Sequence, residues 1–169
     1  MRYLLCILVF LPLPLMADAP AAGSAWQQET VDDEYGYGEV EVLHQKATNT
    51  IKDEYGTADV TPRLEFRCSS ADPSVTARVD WQRFISSFST EVGFKVDDGR
   101  FTWLKWKTDS TEKVTLSPSA EDTATLVGSL SAGSRLTVEI TPYSEGPVEV
   151  GFDLAGFDEA LRDLQDACR

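Results

Sequence analysis

The sequence predicts a mainly β protein, an antiparallel β-sandwich with one C-terminal α-helix packed on it. Short segments that alternate polar and apolar residues recur about every 8 to 12 positions, separated by turn-forming residues. The pair Asp98-Gly99 stands between two apolar, aromatic segments and predicts a β-hairpin with a type I′ turn. Only residues 156–168 show the period of an amphipathic helix.

The N-terminal segment has the layout of a cleavable secretory signal. Arg2 precedes an apolar run from Leu4 to Met16, and small alanines follow. This run is shorter than the roughly 20 apolar residues that span a bilayer, and two prolines interrupt it. We place cleavage after Ala17, at the start of the range 17–22 that the small residues allow. The protein is therefore expected to be exported, to the periplasm, with no membrane span after cleavage.

The remaining chain has the size of one domain. Residues 18–36 form an extended lead-in that ends in a short strand, and residues 37–169 form the sandwich with its helix at 156–168. About 150 residues can bury a sizeable core unaided. The formal net charge of −13 repels phosphate backbones and anionic membranes, so we expect no nucleic-acid partner. A basic protein, a neutral glycan or a divalent cation remain open as partners.

The strands follow from side-chain alternation. In "TPRLEFRC", the residues Leu64, Phe66 and Cys68 share one face, so the thiol of Cys68 points into the core. The other predicted strands, in chain order, are "GEVEVLHQKA" before it, then "SVTARVDW", "FKV", "RFTWLKW", "EKVTLSP", "SRLTVEITPY" and residues 148–154.

The end of the chain predicts a helix that carries the last cysteine. Its apolar residues are spaced 4, 3 and 4 apart, which places them on one helical face: Phe157, Leu161, Leu164 and Cys168. Asp153 or Gly156 could cap this helix.

Export favours one disulfide between Cys68 and Cys168. Cys6 leaves with the signal, and two remaining thiols in an oxidising compartment are expected to pair. The bridge would close a loop of about 100 residues, worth roughly 4.7 kcal/mol in the chain-entropy model. A free catalytic thiol and a metal site are the alternatives. With His44 as the single histidine, the chain offers a poor zinc set.

Several motifs occur in an order that resembles the VasI/TagO family of proteins associated with bacterial type VI secretion. The tail "TPYSEGPVEVGFDLAGFDEALRDLQDAC" is the most specific part, and the likeness extends from Trp26 through nearly the whole mature chain. The matching positions are Trp26, Asp32-Asp33, Arg67-Cys68, 97–99, Trp106, 141–143, Phe152-Asp153, Gly156 and Cys168.

The resemblance implies a periplasmic accessory or adaptor protein of a Gram-negative secretion system. It implies no catalytic residues and no cofactor, so we predict a non-catalytic protein that binds a protein of the envelope or peptidoglycan. Two rival functions stay open. One is an acidic inhibitor or immunity-type protein that binds a basic hydrolase, and the other is a glycan-binding module.

Enzyme chemistry has little support in the sequence. His44 could act as a general base for Ser69 or Ser70, but a half-buried strand histidine is the simpler interpretation. The chain has no Gly-x-Ser-x-Gly and no His-Glu-x-x-His motif. Carboxylate pairs could serve a glycosidase.

An acidic group in the lead-in could hold calcium. Asp32, Asp33 and Glu34 are adjacent, and oxygen ligands of this kind suit Ca²⁺. The simpler interpretation is that the group is a solvated acidic run. We therefore predict no metal, and treat calcium as a weak alternative.

The strand "RFTWLKW" is apolar on both faces, and one of them must fill the core. The other is either covered by the terminal helix or exposed as an aromatic platform for sugars or a protein. We take Trp103, Trp106, Lys105 and Lys107 as the candidate binding surface.

Overall fold

The computed structural model describes residues 24–33 and 38–169. The predicted signal at 1–17, most of the lead-in and Glu34 lie outside the described residues. The strands are β1 (Gln27–Asp32), β2 (Glu39–Lys46), β3 (Ile51–Lys52), β4 (Asp59–Val60), β5 (Arg63–Cys68), β6 (Thr76–Asp80), β7 (Ser89–Val96), β8 (Thr102–Thr108), β9 (Val114–Leu116), β10 (Arg135–Ile140) and β11 (Val148–Asp153); the helices are α1 (Ala120–Leu130) and α2 (Phe157–Ala167).

Nine strands form one antiparallel sheet in the order β1-β2-β5-β6-β9-β8-β7-β10-β11. The predicted mainly β, antiparallel architecture with a packed C-terminal helix is confirmed. Strands β3 and β4 pair separately, within a polar stretch between β2 and β5 that carries no strong strand pattern. Buried side chains from both halves of the large sheet belong to one core, as in a sandwich.

The first half of the core is built on aromatic side chains and α2. The helix lies on β1, β2 and β5. The ring of Phe157 lies 5.2 Å from that of Phe66 and 4.9 Å from that of Trp26, centroid to centroid. The indole N–H of Trp26 donates to the Asp153 carbonyl at 3.1 Å, which ties the start of the described chain to the end of β11.

Gly156 is the N-cap residue of helix α2, and no side chain caps the helix there. Gly156 has a φ of 76°, and a Cβ there would lie 2.9 Å from Oγ of Ser24. Glycine is therefore required both by the left-handed backbone and by the close approach of the N-terminal segment. Of the two predicted caps, Gly156 takes the position, and Asp153 instead accepts from the backbone N–H of Ala155 at 2.9 Å.

Cys68 and Cys168 form a disulfide, with sulfurs 2.04 Å apart. It links the end of β5 to the residue that caps α2, and both cysteines are buried. The bond joins residues 100 positions apart in the chain, and it lies on the inner side of the sheet. It therefore holds the terminal helix against the half of the core that contains Phe66.

The free edge of β11 is covered by side-chain amides from the end of β2 and from the segment after it. The Gln45 amide both donates to the Asp153 carbonyl at 2.9 Å and accepts from its N–H at 2.8 Å. Further along the same edge, the Asn49 amide donates to the Glu149 carbonyl at 3.0 Å and accepts from the Gly151 N–H at 2.8 Å. These amides satisfy edge groups that would otherwise be open to another strand.

Helix α1 was not predicted. Its sequence "AEDTATLVGSL" is small and polar, with the buried residues Thr123, Leu126 and Leu130. A capping box gives the missed signal, because the Asp122 N–H donates to Ser119 Oγ at 3.1 Å and the serine hydroxyl donates back to the Asp122 carboxylate at 2.6 Å.

The β7–β8 hairpin is present, but its turn differs from the predicted type I′ pair at Asp98-Gly99. The Gly99 N–H donates to the Val96 carbonyl at 2.9 Å, and the positive φ of 48° falls on Asp97. The Asp97 carboxylate accepts the backbone N–H groups of Ser134 and Arg135. This clasp to the start of β10, which is remote in sequence, stabilises the turn one residue earlier than local propensity predicts.

Candidate functional site

The outer side of β7, β8, β10 and β11 is exposed, and we call it the open face. One row of directly opposed residues crosses all four strands: Trp103, Gly93, Glu139 and Glu149. At the usual strand spacing this row is about 14 Å wide. It lies on the side of the sheet opposite the core residues Val92 and Val138.

Trp103 lies flat on the open face. A Cβ built at Gly93 would be 2.9 to 3.0 Å from three atoms of the six-membered indole ring. Three equal distances show that a ring face, not an edge, covers the glycine. The side chain is still 44% exposed, so its opposite face is available to solvent. Phe101 extends the aromatic surface, with its ring 5.6 Å from the indole.

Glu139 and Glu149 stand opposite each other on β10 and β11. Partial burial, and then hydrogen bonding and repulsion from the Glu149 carboxylate, raise the pKa of Glu139 above its ordinary value. Lys95 opposes this shift. The two carboxyl groups thus stand close together on the open face, where their oxygens can accept hydrogen bonds from a ligand.

The charges of the open face balance locally. Its basic residues are Lys95, Lys105, Lys107 and Arg135, and its acidic residues are Glu91, Glu139, Glu149 and Asp153. Lys105 is directly opposite Glu91, and the Lys95 ammonium lies 4.6 Å from the centre of the Phe101 ring. A neutral patch on a chain of net charge −13 contrasts with its surroundings.

The structure separates the four residues predicted as a binding surface. Trp103, Lys105 and Lys107 share the exposed side of β8, but Trp106 is 1% exposed and packs on Phe94 in the core, so its assignment to the surface was wrong. Strand alternation places positions 103 and 106 on opposite faces. Helix α2 lies on β1, β2 and β5, so it is not the element packed on Trp103.

The outer side of β2, β5 and β6 is closed by charged residues, and we call it the sealed face. Glu65 is fully buried there. It accepts from Nε of Arg63 and Nε of Arg78, both at 2.6 Å, and Nε of Arg67 lies 3.7 Å from it. Three guanidinium groups around one carboxylate neutralise it and cover it with their aliphatic stems.

His44 belongs to the sealed face. Burial, and then the Arg63 charge, lower the pKa of His44 below its ordinary value. Its Nε2 lies 3.4 Å from a carboxylate oxygen of Glu29. His44 pairs with Glu65 in the register, whereas Ser69 follows four residues further along the chain, about 13 Å at the usual strand rise. The suggested His44–Ser69 arrangement is therefore not assembled.

The suggested calcium group is only partly described. Asp32 is the last residue of β1, and the Asp33 N–H donates to the Gly38 carbonyl at 2.8 Å. Glu34 lies outside the described residues. Within residues 24–33 and 38–169, no three His, Cys, Asp or Glu side chains are grouped to hold a metal ion.

A second exposed surface was missed by the sequence prediction, and we call it the aromatic loops. It consists of Tyr55, Phe88 and Tyr143, which are 80%, 84% and 74% exposed. The loops meet on the segment between β6 and β7: the Tyr143 N–H donates to the Ile85 carbonyl at 2.9 Å, and the Phe84 N–H donates to the Glu54 carboxylate at 3.4 Å.

Buried Arg83 fixes these loops at one end of the sheet. Its side chain is 1% exposed, donates to the Lys52 carbonyl at 2.8 Å and pairs with the Glu145 carboxylate. Hydrogen bonds from the backbone N–H groups of Glu54 and Phe84 lower the pKa of the Glu54 carboxyl. The carboxylate that accepts from Phe84 is thereby favoured in its charged form. No alternation or helical period marks such loops, so only their unusual aromatic content could have indicated them.

A groove of about 220 Å³ lies between α1 and the β7–β8 hairpin. Phe94, Leu104 and Leu126 line it. Ligand pockets are usually about 300 Å³ or larger, so the two exposed surfaces are stronger candidates.

These features define a class: a disulfide-tied antiparallel β-sandwich with a packed C-terminal helix, a mixed-charge outer face and exposed aromatic loops. No helix within the described ranges is long and apolar enough to cross a membrane.

The fold is similar to that of a solved structure, the crystal structure of invasion associated protein B from Bartonella henselae. The TM-score is 0.52 at 16% sequence identity, and the match covers 83% of this chain and 91% of that chain. At this identity the likeness shows the fold alone. No family model and no curated protein match the sequence, so the resemblance to the VasI/TagO family stays a prediction.

Proposed function

We propose that the chain is an exported, non-catalytic accessory or adaptor protein of the bacterial envelope that acts by binding. Its association with type VI secretion rests on the resemblance to the VasI/TagO family. The aromatic loops carry the proposal. Three aromatic side chains at 74% to 84% exposure stand on loops that a buried arginine ties together, and aromatic residues of this kind are enriched at protein interfaces.

The geometry supports binding because the surface is preorganised. Arg83 and the backbone hydrogen bonds to Ile85 fix the loops before any partner arrives, which lowers the entropy cost of association. Tyrosine and phenylalanine offer large contact areas with few rotatable bonds.

The test is crosslinking in the periplasm. The full chain with its signal and a C-terminal tag is expressed in the source bacterium, crosslinked, and purified with its partners. We expect the combined change Tyr55→Ser, Phe88→Ser and Tyr143→Ser to abolish partner capture, while Trp103→Ser, also an exposed aromatic change, leaves it intact. Equal capture by both variants would exclude the aromatic loops as the interface.

The identity of the captured protein separates the adaptor from its rival. Secretion-apparatus components would support the accessory function. A single basic hydrolase would instead support the inhibitor, which the net charge of −13 favours through electrostatic steering. In that case the association rate should fall steeply as salt rises from about 0.05 to 0.5 M, because steering is screened.

A further inference from the structure

We propose that the open face binds a neutral glycan, with one pyranose ring stacked on Trp103 and its hydroxyl groups hydrogen-bonded to Glu139 and Glu149. The inference rests on the proposed binding role in the envelope, but it concerns a different surface from the aromatic loops. It gives the protein two separate binding surfaces.

The stacking surface is formed by Trp103 and Gly93 together. The glycine removes the side chain that would tilt the indole, since even a Cβ would be 2.9 Å from the ring. The ring is therefore held flat, parallel to the sheet, with one face covered and the other open. A flat, partly exposed aromatic ring suits a sugar, because the axial C–H groups of a pyranose give it an apolar face.

The polar groups stand at the right place for the hydroxyls of such a sugar. Glu139 lies directly across from Gly93, one strand away from the indole, and Glu149 lies on the next strand. Sugar hydroxyls donate hydrogen bonds, which the carboxyl oxygens of Glu139 and Glu149 can accept. The raised pKa of Glu139 supports this pairing, although the geometry alone places the groups.

The local charge selects a neutral ligand. Four basic residues balance four acidic residues on the open face, so neither a polyanion nor a polycation gains much attraction there. The Trp103 site is also shallow, bordered by Thr90, Glu91 and Thr141, which favours an extended chain over an enclosed small molecule. A row about 14 Å wide can contact more than one sugar ring.

The chain supplies its own reporter for the test. Trp26, Trp81 and Trp106 are at most 6% exposed, so quenching of tryptophan fluorescence by acrylamide reports mainly on Trp103. The purified mature protein is titrated with two neutral probes, the tetrasaccharides of β-1,4-linked N-acetylglucosamine and of β-1,4-linked glucose. Calorimetry gives the affinity, and loss of quenching locates the ligand.

We expect at least one tetrasaccharide to bind and to protect Trp103 from the quencher. Trp103→Ala should weaken binding by about tenfold, the usual value of an aromatic stacking contact. Glu139→Ala should weaken it as well, and Glu139→Gln, which keeps both donor and acceptor, should restore most of the affinity. Tyr143→Ala, a change in the aromatic loops, should leave it unchanged.

Three results would overturn the inference. One is the absence of binding by either tetrasaccharide at millimolar concentration to protein whose circular dichroism is native. The second is binding that Trp103→Ala does not weaken, and the third is tighter binding of a polyuronate than of the neutral probes. Failure of the adaptor proposal looks different, because it is measured as protein capture that the loop variant does not reduce.

Discussion

The sealed face and the open face belong to the same sheet, but their carboxylates differ in burial and in the charge of their neighbours. On the sealed face, Glu65 is fully buried and bonded to Arg63 and Arg78. On the open face, Glu139 stands opposite Glu149, another carboxylate, and its pKa is raised. On the sealed face, arginines of the fold compensate the charge of Glu65. On the open face, the two carboxyl groups face each other and are available to a ligand.

This difference shows how function and stability divide across the sheet. A charge that is buried and fully paired holds strands together, and its removal leaves other charges uncompensated. A like-charged pair beside an exposed tryptophan contributes little to folding and is retained more readily for binding. The two faces can therefore be distinguished by mutation.

The largest effect is expected from the disulfide between β5 and α2, on the inner side of the sheet. Replacing both cysteines, Cys68→Ser with Cys168→Ser, should lower the free energy of unfolding by about 4 kcal/mol, because a loop of 100 residues is no longer closed. Urea unfolding measured by circular dichroism gives the value. A loss below about 1 kcal/mol would mean that α2 is held by packing alone.

Glu65→Gln on the sealed face should have the next largest effect. We expect a loss of about 3 kcal/mol, because the guanidinium groups of Arg63 and Arg78 remain without their carboxylate. The matched control is Glu91→Gln on the open face, opposite Lys105, with a loss of at most about 0.5 kcal/mol. Equal losses in urea unfolding would remove the distinction between the faces.

The smallest effect, Glu149→Gln on the open face, should have the opposite sign. A carboxyl with a raised pKa favours folding at low pH, and that contribution is lost as pH rises through the raised value. At pH 7 the variant should therefore be more stable by roughly 0.5 kcal/mol, since directly opposed like charges repel. Near pH 3, below the raised pKa of Glu139, the repulsion is lost and the gain should disappear.

Thermal unfolding at the two pH values checks this prediction. Glu149→Lys serves as a second variant, because attraction to Glu139 should extend the gain at pH 7 and leave low pH unchanged. A gain that persists at pH 3 would show that the effect is steric rather than electrostatic.

The strands on the sealed half could be predicted because each has a simple alternation. The pattern in "TPRLEFRC" placed Cys68 inward and Glu65 outward, and both positions hold in the structure. The alternation could not show that Glu65 would be buried on the outer side, because that depends on arginines from β5 and β6 lying over it. Whether a polar face is buried therefore depends on side chains from neighbouring strands.

The candidate site was predicted only in part for the same reason. The aromatic composition of β8 indicated a surface with Trp103, but the glycine beneath the indole is opposite it on β7. Glu139 and Glu149 come from strands more than 30 residues further along, and pairing brings them to the row. The aromatic loops, without a period, depend on Arg83 to bring them together.

The sequence by itself determined the fold class, the inward side of β5 and the terminal helix with its cysteine. These follow from local periodicity, since apolar side chains must be buried wherever the chain places them. Only the tertiary structure decided the order of strands, the one-residue shift of the hairpin turn to Asp97 and the neighbours of Trp103. Those depend on contacts between residues far apart in the chain, which local periodicity does not encode.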